Sequence, residues 1–322
     1  MIKKECFTAE WIEQVSSELH YNDKNLIEKV IRALSLLEML VKAGCPLVFK
    51  GGTALMLILG KSAHRLSIDI DLICPPGTNI EDYLKSFADF GFINLELVER
   101  KQRDDADIPK SHSKFFYQIA YRNDTDAQSY ILLDVLYEDI HYFRTQQIAI
   151  NCPFIRLEGK PLMVTVPSAE DILGDKLTAF APNTTGIPYY RNGRSCSMEI
   201  AKQLYDVGRL FENVSDLQIT KEAFRKIAVV ELSYRSFGTD IGQVFNDIRQ
   251  TALCISTRGK AGEGDFDLIQ DGIIRVKSFM YKQRYLIDHA IIDAARAAYL
   301  ATLIEKGINE IESYSNNPAD IK

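Results

Sequence analysis

The sequence lacks a long uninterrupted hydrophobic run. No stretch of 18 apolar residues occurs among its 322 residues, and the richest apolar segment, 31–41, is broken by Arg32 and Glu38 at helical spacing. The segment 1–6, Met-Ile-Lys-Lys-Glu-Cys, also lacks the apolar region of a secretory signal. We therefore expect a protein of the cytoplasm with no membrane partner.

The sequence also lacks paired cysteines and an excess of positive charge. Its six cysteines are scattered, with no Cys-x-x-Cys pair and no histidine placed to complete a zinc site, which predicts reduced thiols. A net charge of −6 argues against a protein that coats nucleic acid. A local basic groove is still compatible with the sequence, because residues 176–300 carry 17 Lys and Arg against 14 Asp and Glu.

The order of the hydrophobic patterns predicts an α+β protein. Two amphipathic helices lead, one from a Thr8 N-cap to Leu19 and one from Asp23 to a Gly44 stop. Short β-type runs then alternate with turns, which indicates a mixed sheet. From Ser168, which begins a capping-box sequence, the pattern is helical. We predict a mixed-sheet domain with leading helices over 1–167, an all-helical domain over 168–312 and a frayed tail over 313–322.

The same patterns predict individual elements. A helix is predicted near 79–90, and the polar segment 100–114 is predicted to be a loop. The predicted strands cover 47–49, 68–73, 93–98, 115–121, 131–137 and 163–166. The later helices are predicted near 168–180, 196–212, 220–230, 239–252, 266–279 and 281–306.

A glycine turn follows the first predicted strand. Gly51 and Gly52 precede an apolar helix, so a phosphate bound there would meet free backbone N–H groups at a helix amino terminus. Thr53 is placed to cap that helix or to bond a phosphate oxygen. Arg65 and Ser67 come just before the next strand, within reach of the same phosphates. A Gly-Gly pair alone is weak evidence, and its value lies in the acidic residues that follow.

Three carboxylates fall on two predicted strands. Asp69 and Asp71 are spaced i, i+2, which directs both side chains to one face of a strand, where they repel unless a cation neutralises them. Alone, the pair is more typical of two solvated acids at a strand end. Asp134 lies in a second apolar strand, where an unpartnered charge is costly. Together the three match the oxygen ligands that Mg²⁺ prefers, with phosphate oxygens completing the coordination of two ions.

Four stretches resemble the AbiEii/AbiGii-type nucleotidyltransferases, which are toxins of type IV toxin–antitoxin systems and relatives of the polymerase-β-like minimal nucleotidyltransferases. The first two stretches are the specific ones. In chain order they are Lys50-Gly51-Gly52-Thr53-Ala54-Leu55, Arg65-Leu66-Ser67-Ile68-Asp69-Ile70-Asp71-Leu72, Asp175-Lys176-Leu177-Thr178-Ala179 and Lys202-Gln203-Leu204-Tyr205-Asp206-Val207-Gly208-Arg209-Leu210.

The resemblance implies further site residues in the helical domain. It places a lysine and a later aspartate at the site, and these fall on Lys176 and Asp206. A cation at Lys176 suits the β- and γ-phosphates of a triphosphate, although a lysine that only snorkels to solvent is the structural alternative. Lys202 lies four residues before Asp206 and is a candidate nucleotide ligand, or else one half of a surface ion pair. Asp206 could instead orient the attacking group or the ribose.

The residues and the resemblance together predict a Mg²⁺-dependent transfer of an NMP from an NTP to an acceptor hydroxyl. The predicted catalytic residues are Asp69, Asp71, Asp134, Lys176 and Asp206. The resemblance implies RNA as the acceptor, with a tRNA 3′ end favoured, and a cognate antitoxin as a partner. Two alternatives stay open: a protein or small-molecule hydroxyl as the acceptor, and a nucleotide-binding module without catalysis.

Overall fold

The computed structural model of the chain describes residues 1–98, 110–122, 127–214, 216–234 and 240–311. Most of the loop predicted over 100–114 lies outside the described residues, as does the predicted tail over 313–322. The end of that loop, from Lys110 onward, belongs to a strand.

The structure is a mixed α+β fold, as the sequence predicted. The helices are α1 (Ala9–Leu19), α2 (Lys24–Lys42), α3 (Gly51–Leu59), α4 (Ala169–Ala179), α5 (Ser197–Phe211), α6 (Leu217–Ser233), α7 (Ile241–Ser256), α8 (Phe266–Val276) and α9 (Ile287–Lys306). The strands are β1 (Val48–Lys50), β2 (Ile70–Cys74), β3 (Asn94–Val98), β4 (Lys110–Gln118), β5 (Gln128–Tyr137), β6 (Thr145–Ala149), β7 (Met163–Pro167), β8 (Tyr190–Arg191) and β9 (Arg194–Ser195).

Side-chain caps define where three of the predicted helices begin. The Thr8 hydroxyl accepts a hydrogen bond from Trp11 N, and a carboxylate oxygen of Asp23 accepts one from Leu26 N. The Ser168 hydroxyl likewise accepts from Asp171 N at the start of α4. Each bond satisfies a backbone donor that has no partner within the helix, which is why these positions favour short polar side chains.

The central sheet has the strand order β1-β2-β5-β4-β3. Strand β2 pairs parallel to β5, and the other neighbours pair antiparallel. One face of this sheet packs against α1 and α2 in a hydrophobic core that includes Leu34, Leu72 and Phe115. The other face carries Asp71 and Asp134, two of the residues predicted for the site. Strands β6 and β7 form a separate two-stranded sheet.

A second hydrophobic core unites the helices after Ser168. Its buried members include Leu173, Leu204 and Phe224, together with Leu55 from α3. The neighbouring α3 residues Ala54 and Met56 belong to the first core. Because α3 contributes to both cores, its amino terminus lies where the sheet and the later helices meet.

The structure corrects several predicted elements. Residues 79–90 form two short 3-10 turns, Ile80–Tyr83 and Phe87–Phe90, instead of one helix. Strand β6 was not predicted, and β4 begins five residues earlier than expected. The last predicted helices are shorter, and a short hairpin of β8 and β9 lies in the connection before α5.

Strand β2 also begins later than predicted. It starts at Ile70, so Asp69 lies just before the strand and not within it. The carbonyl oxygen of Asp69 accepts a hydrogen bond of 2.7 Å from the Thr53 hydroxyl. This bond fixes the entry to β2 against the first turn of α3.

Candidate active site

A row of polar side chains crosses four strands of the central sheet. Lys50 on β1 pairs in register with Asp71 on β2. Asp71 in turn pairs with Asp134 on β5, and Asp134 pairs with His112 on β4. Residues directly opposite one another on paired strands project from the same face of the sheet. The sheet therefore brings together two of the three predicted metal carboxylates.

The glycine turn approaches this row closely. Helix α3 begins at Gly51 directly after β1, and Gly51 has a φ of 80°. A Cβ atom at this position would lie 2.1 Å from Asp71 Oδ2, so only glycine permits the contact. The first backbone N–H groups of α3 thus lie beside the carboxylate row.

Gly52 contacts the segment that precedes β2. A Cβ atom there would lie 2.7 Å from the Ser67 hydroxyl oxygen and 2.9 Å from an Arg65 guanidinium nitrogen. Thr53 does not cap α3, because its hydroxyl donates to Asp69 and the N-cap residue, Lys50, makes no side-chain cap bond. The turn and the Arg65–Ser67 segment are therefore held together.

Two of the buried carboxylates, Asp69 and Asp71, have raised pKa values. Burial, followed by the charges of Asp69 and Asp134, raises the pKa of Asp71 to about 7. Burial also raises the pKa of Asp69 above its usual range, although nearby Lys202 opposes this. Such mutual repulsion persists in a folded chain when a cation or a cationic ligand relieves it.

His112 is a site residue that the sequence did not predict. Its Nδ1 lies 2.5 Å from Asp134 Oδ1, and its side chain is 12% exposed while that of Asp134 is 35% exposed. The contact orients the Asp134 carboxylate. The sequence carries a signal for it only through strand pairing, because His112 and Asp134 are 22 residues apart.

Lys50 lies at the other end of the row, on β1. Burial acts to lower the pKa of its ammonium group, but the charges of Asp175, Asp71 and Glu138 outweigh it and raise that pKa. Lys50 is therefore charged and supplies a positive group next to Asp71 on the side away from His112.

A buried ion-pair network links the sheet segment to the later helices. Arg65 donates to both oxygens of Asp206, with Nη2 at 2.8 Å from each and Nε at 3.0 Å from Oδ1. Lys176 Nζ lies 3.0 Å from Asp206 Oδ2 and donates to Gln203 Oε1 at 2.9 Å. Although burial alone would raise the pKa of Asp206, the two cations hold it below its usual range.

Lys202 does not pair with Asp206 as the i, i+4 spacing suggested. Its Nζ lies 3.9 Å from the centroid of the Phe279 ring. Burial, followed by the charge of Arg65, lowers the pKa of Lys202 to about 8. The charge of Lys202 also acts on Asp69, so Lys202 lies near that carboxylate.

The sequence matches the family of the nucleotidyl transferase AbiEii toxin, type IV toxin–antitoxin system, over residues 34–296. The chain belongs to the AbiEii family. It is therefore a nucleotidyltransferase of a toxin–antitoxin system. The matched range contains every site residue described above, from Lys50 to Asp206.

Two solved structures are similar to this chain at low sequence identity. MenT4, a nucleotidyltransferase toxin from Mycobacterium tuberculosis H37Rv, is 13% identical with a TM-score of 0.53, over 91% of this chain and 89% of that one. JHP933 from Helicobacter pylori is 16% identical with a TM-score of 0.42, over 96% and 95% of the two chains. A search of curated proteins found no match.

The AbiEii carboxylates fit a divalent cation by their chemistry. Magnesium is bound in proteins by one or two carboxylates together with phosphate oxygens and water, so it does not need a closed protein cage. Within the described ranges, no three His, Cys, Asp or Glu side chains enclose a preformed cation position. Asp69, Asp71 and Asp134 nevertheless provide hard oxygen donors whose repulsion a cation would relieve.

The described part of this AbiEii chain contains no helix that is long and apolar enough to span a bilayer. Its longest helix, α9, has polar and charged residues along its length.

Proposed function

We propose that this AbiEii nucleotidyltransferase transfers an NMP from an NTP to a hydroxyl of RNA, with a tRNA 3′ end as the favoured acceptor. The observation that carries the proposal is the direct cross-strand pairing of Asp71 with Asp134, next to the Gly51 turn. This arrangement combines oxygen donors for a cation with free N–H groups for phosphate.

In the proposed reaction, the acceptor oxygen attacks the α-phosphorus of the NTP and forms a new P–O bond. The bond between the α-phosphorus and the bridging oxygen breaks, pyrophosphate leaves, and the acceptor proton is released on the Asp134 side of the site. Magnesium, held by Asp69, Asp71 and Asp134, would supply charge stabilisation to the phosphates and activate the hydroxyl. In-line positioning then depends on the protein groups around the phosphates.

Three groups of the chain are proposed to hold the triphosphate. The backbone N–H groups of Gly52 and Thr53 open α3, whose dipole favours negative charge. Lys176, anchored by Asp206, is oriented toward the carboxylate side, since its charge acts on Asp71. Lys202, near Asp69, is a further cation for phosphate.

Asp206 is proposed to position other residues instead of binding the ribose. Both of its oxygens are already engaged by Arg65 and Lys176, and its side chain is only 2% exposed. It thereby fixes Arg65 beside Gly52 and limits the positions available to Lys176. Ser67, next to Gly52, remains a proposed phosphate contact.

RNA is favoured as acceptor by the surplus of cationic residues in 176–300 and by the toxin family. The family also supports a cognate antitoxin as a partner. The test is incubation of the protein with each of four labelled NTPs in the presence of tRNA, total cell protein or an aminoglycoside. We expect label on RNA and release of pyrophosphate, with mass spectrometry giving the nucleotide added. Label on protein alone would contradict an RNA acceptor.

A further inference from the structure

The catalytic face of the sheet continues beyond the carboxylates as an aromatic surface. Phe116 on β4 and Tyr130 on β5 are register partners whose ring centroids lie 5.7 Å apart. We call this pair the aromatic platform. Tyr130 precedes Asp134 by four residues and Phe116 follows His112 by four, so alternation places all four side chains on one face.

Both rings of the aromatic platform are accessible. Tyr130 is 39% exposed, and Phe116 is partly buried. An exposed pair of aromatic rings on the solvent side of a sheet makes little contribution to a hydrophobic core. The exposed part of the Tyr130 ring can contact another planar group.

Two lysines flank the aromatic platform. The Nζ atoms of Lys29 and Lys114 each lie 5.6 Å from the centroid of the Tyr130 ring. Lys114 also forms an ion pair of 3.2 Å with Glu96, and the Lys29 charge acts on Asp69. The surface therefore offers more positive than negative charge, and it connects electrostatically to the carboxylate row.

The spacing between platform and carboxylates limits what can occupy both. Four residues of a strand span about 13 Å, so Tyr130 lies that far along β5 from Asp134. A single nucleotide at the reaction centre would not cover this distance. An extended strand whose end lies at Asp134 would pass over the platform with an upstream base.

We infer that the aromatic platform binds a base of a single-stranded RNA acceptor, upstream of the hydroxyl that receives the nucleotide. The rings of Phe116 and Tyr130 would stack on the base, and Lys29 and Lys114 would contact the backbone phosphates. This inference rests on the proposed RNA acceptor.

The test compares variants of the full chain in two assays. Binding of a fluorescent eight-nucleotide single-stranded RNA is measured by anisotropy without NTP, and transfer to tRNA is measured separately. We expect Tyr130→Ala to weaken RNA binding about tenfold, because stacking of one base is worth that order. Tyr130→Phe keeps the ring and restores most of the affinity. NTP affinity and melting temperature should match the wild type in both variants.

Phe143→Ala is the matched control. Phe143 is 51% exposed and has Lys226 Nζ 5.5 Å from its ring centroid, but it follows the opposite end of β5. Its removal should leave RNA affinity unchanged. If Tyr130→Ala binds RNA as tightly as the wild type does, the aromatic platform does not bind RNA, even if the wild type modifies tRNA. RNA binding that depends on Tyr130, in a protein that labels only other proteins, would show that the platform binds RNA but would overturn both the proposed acceptor and the platform's role in binding it.

Discussion

Arg65 and Asp206 form a buried ion pair across 141 residues of sequence, with Arg65 Nη2 at 2.8 Å from each carboxylate oxygen. Their side chains are 6% and 2% exposed. Arg65 precedes β2, the strand that carries Asp71, and Asp206 lies in the middle of α5. The pair therefore ties the helical part of the chain to the phosphate turn.

Removal of Asp206 should destabilise the protein strongly. In Asp206→Ala, Arg65 and Lys176 are left buried without a counter-charge, which costs about 3–5 kcal/mol of unfolding free energy. Urea unfolding measures this value. The control is Asp288→Ala, whose side chain is 75% exposed beside Arg258, and which should cost about 1 kcal/mol or less. Equal losses of unfolding free energy in the two variants would show that the buried ion pair contributes no more to stability than the exposed one.

A side chain at Gly51 should displace the Asp71 carboxylate. In Gly51→Ala the new Cβ meets Asp71 Oδ2, so the carboxylate or the turn must shift. We expect transfer to fall about 100-fold, as for a misplacement of about 1 Å in a catalytic group. Gly44→Ala is the control, because its φ of 75° imposes similar backbone strain with no atom within 4 Å. Wild-type activity in Gly51→Ala would argue against a close contact between the Gly51 turn and the Asp71 carboxylate.

Loss of His112 should weaken the function of Asp134. His112→Ala removes the group that orients this carboxylate, and we expect activity or Mg²⁺ affinity to fall about 10- to 100-fold, as for other partners of metal ligands. Transfer rates over a Mg²⁺ titration measure the effect. His64→Ala removes a histidine whose Nδ1 lies 3.0 Å from Gln283 Oε1, and it should behave as the wild type. A Mg²⁺ dependence unchanged by His112→Ala would contradict this role.

Asp293 should make stability depend on pH. Burial raises its pKa from 3.8 to about 6, against the charges of Arg209 and Arg296. Between these values the folded state keeps a proton that the unfolded state has released, so stability falls as pH rises from about 4 to 6. The loss is at most about 3 kcal/mol. The unfolding free energies of the wild type and of Asp293→Asn are measured with urea at each pH. The wild-type value minus the variant value should fall as the pH rises. A difference that stays constant with pH would contradict it.

The local parts of the site could be predicted from sequence. The glycine turn and the pair Asp69 and Asp71 lie within one segment of 21 residues, 51–71, and their spacing predicts the phosphate and metal chemistry. The N-caps at Thr8, Asp23 and Ser168 are equally local, and the structure confirms them.

The long-range parts could not be predicted. Arg65 and Asp206 are brought together by packing, which no local spacing encodes. His112 was missed because it lies in a strand segment, Lys-Ser-His-Ser-Lys, that is polar on both faces of the sheet and therefore lacks the alternating pattern of a strand. Strand β6, Thr-Gln-Gln-Ile-Ala, was missed for the same reason, since a strand of a small two-stranded sheet needs few apolar residues.

The catalytic role of the carboxylate row is tested most directly by nucleotide transfer from labelled NTP in Asp71→Asn. The substitution keeps the shape of the side chain and removes one of three repelling charges. We predict loss of transfer together with a melting temperature equal to or above that of the wild type, because relief of repulsion stabilises the fold. Wild-type transfer by a folded Asp71→Asn protein would contradict a metal-dependent site at Asp71 and Asp134.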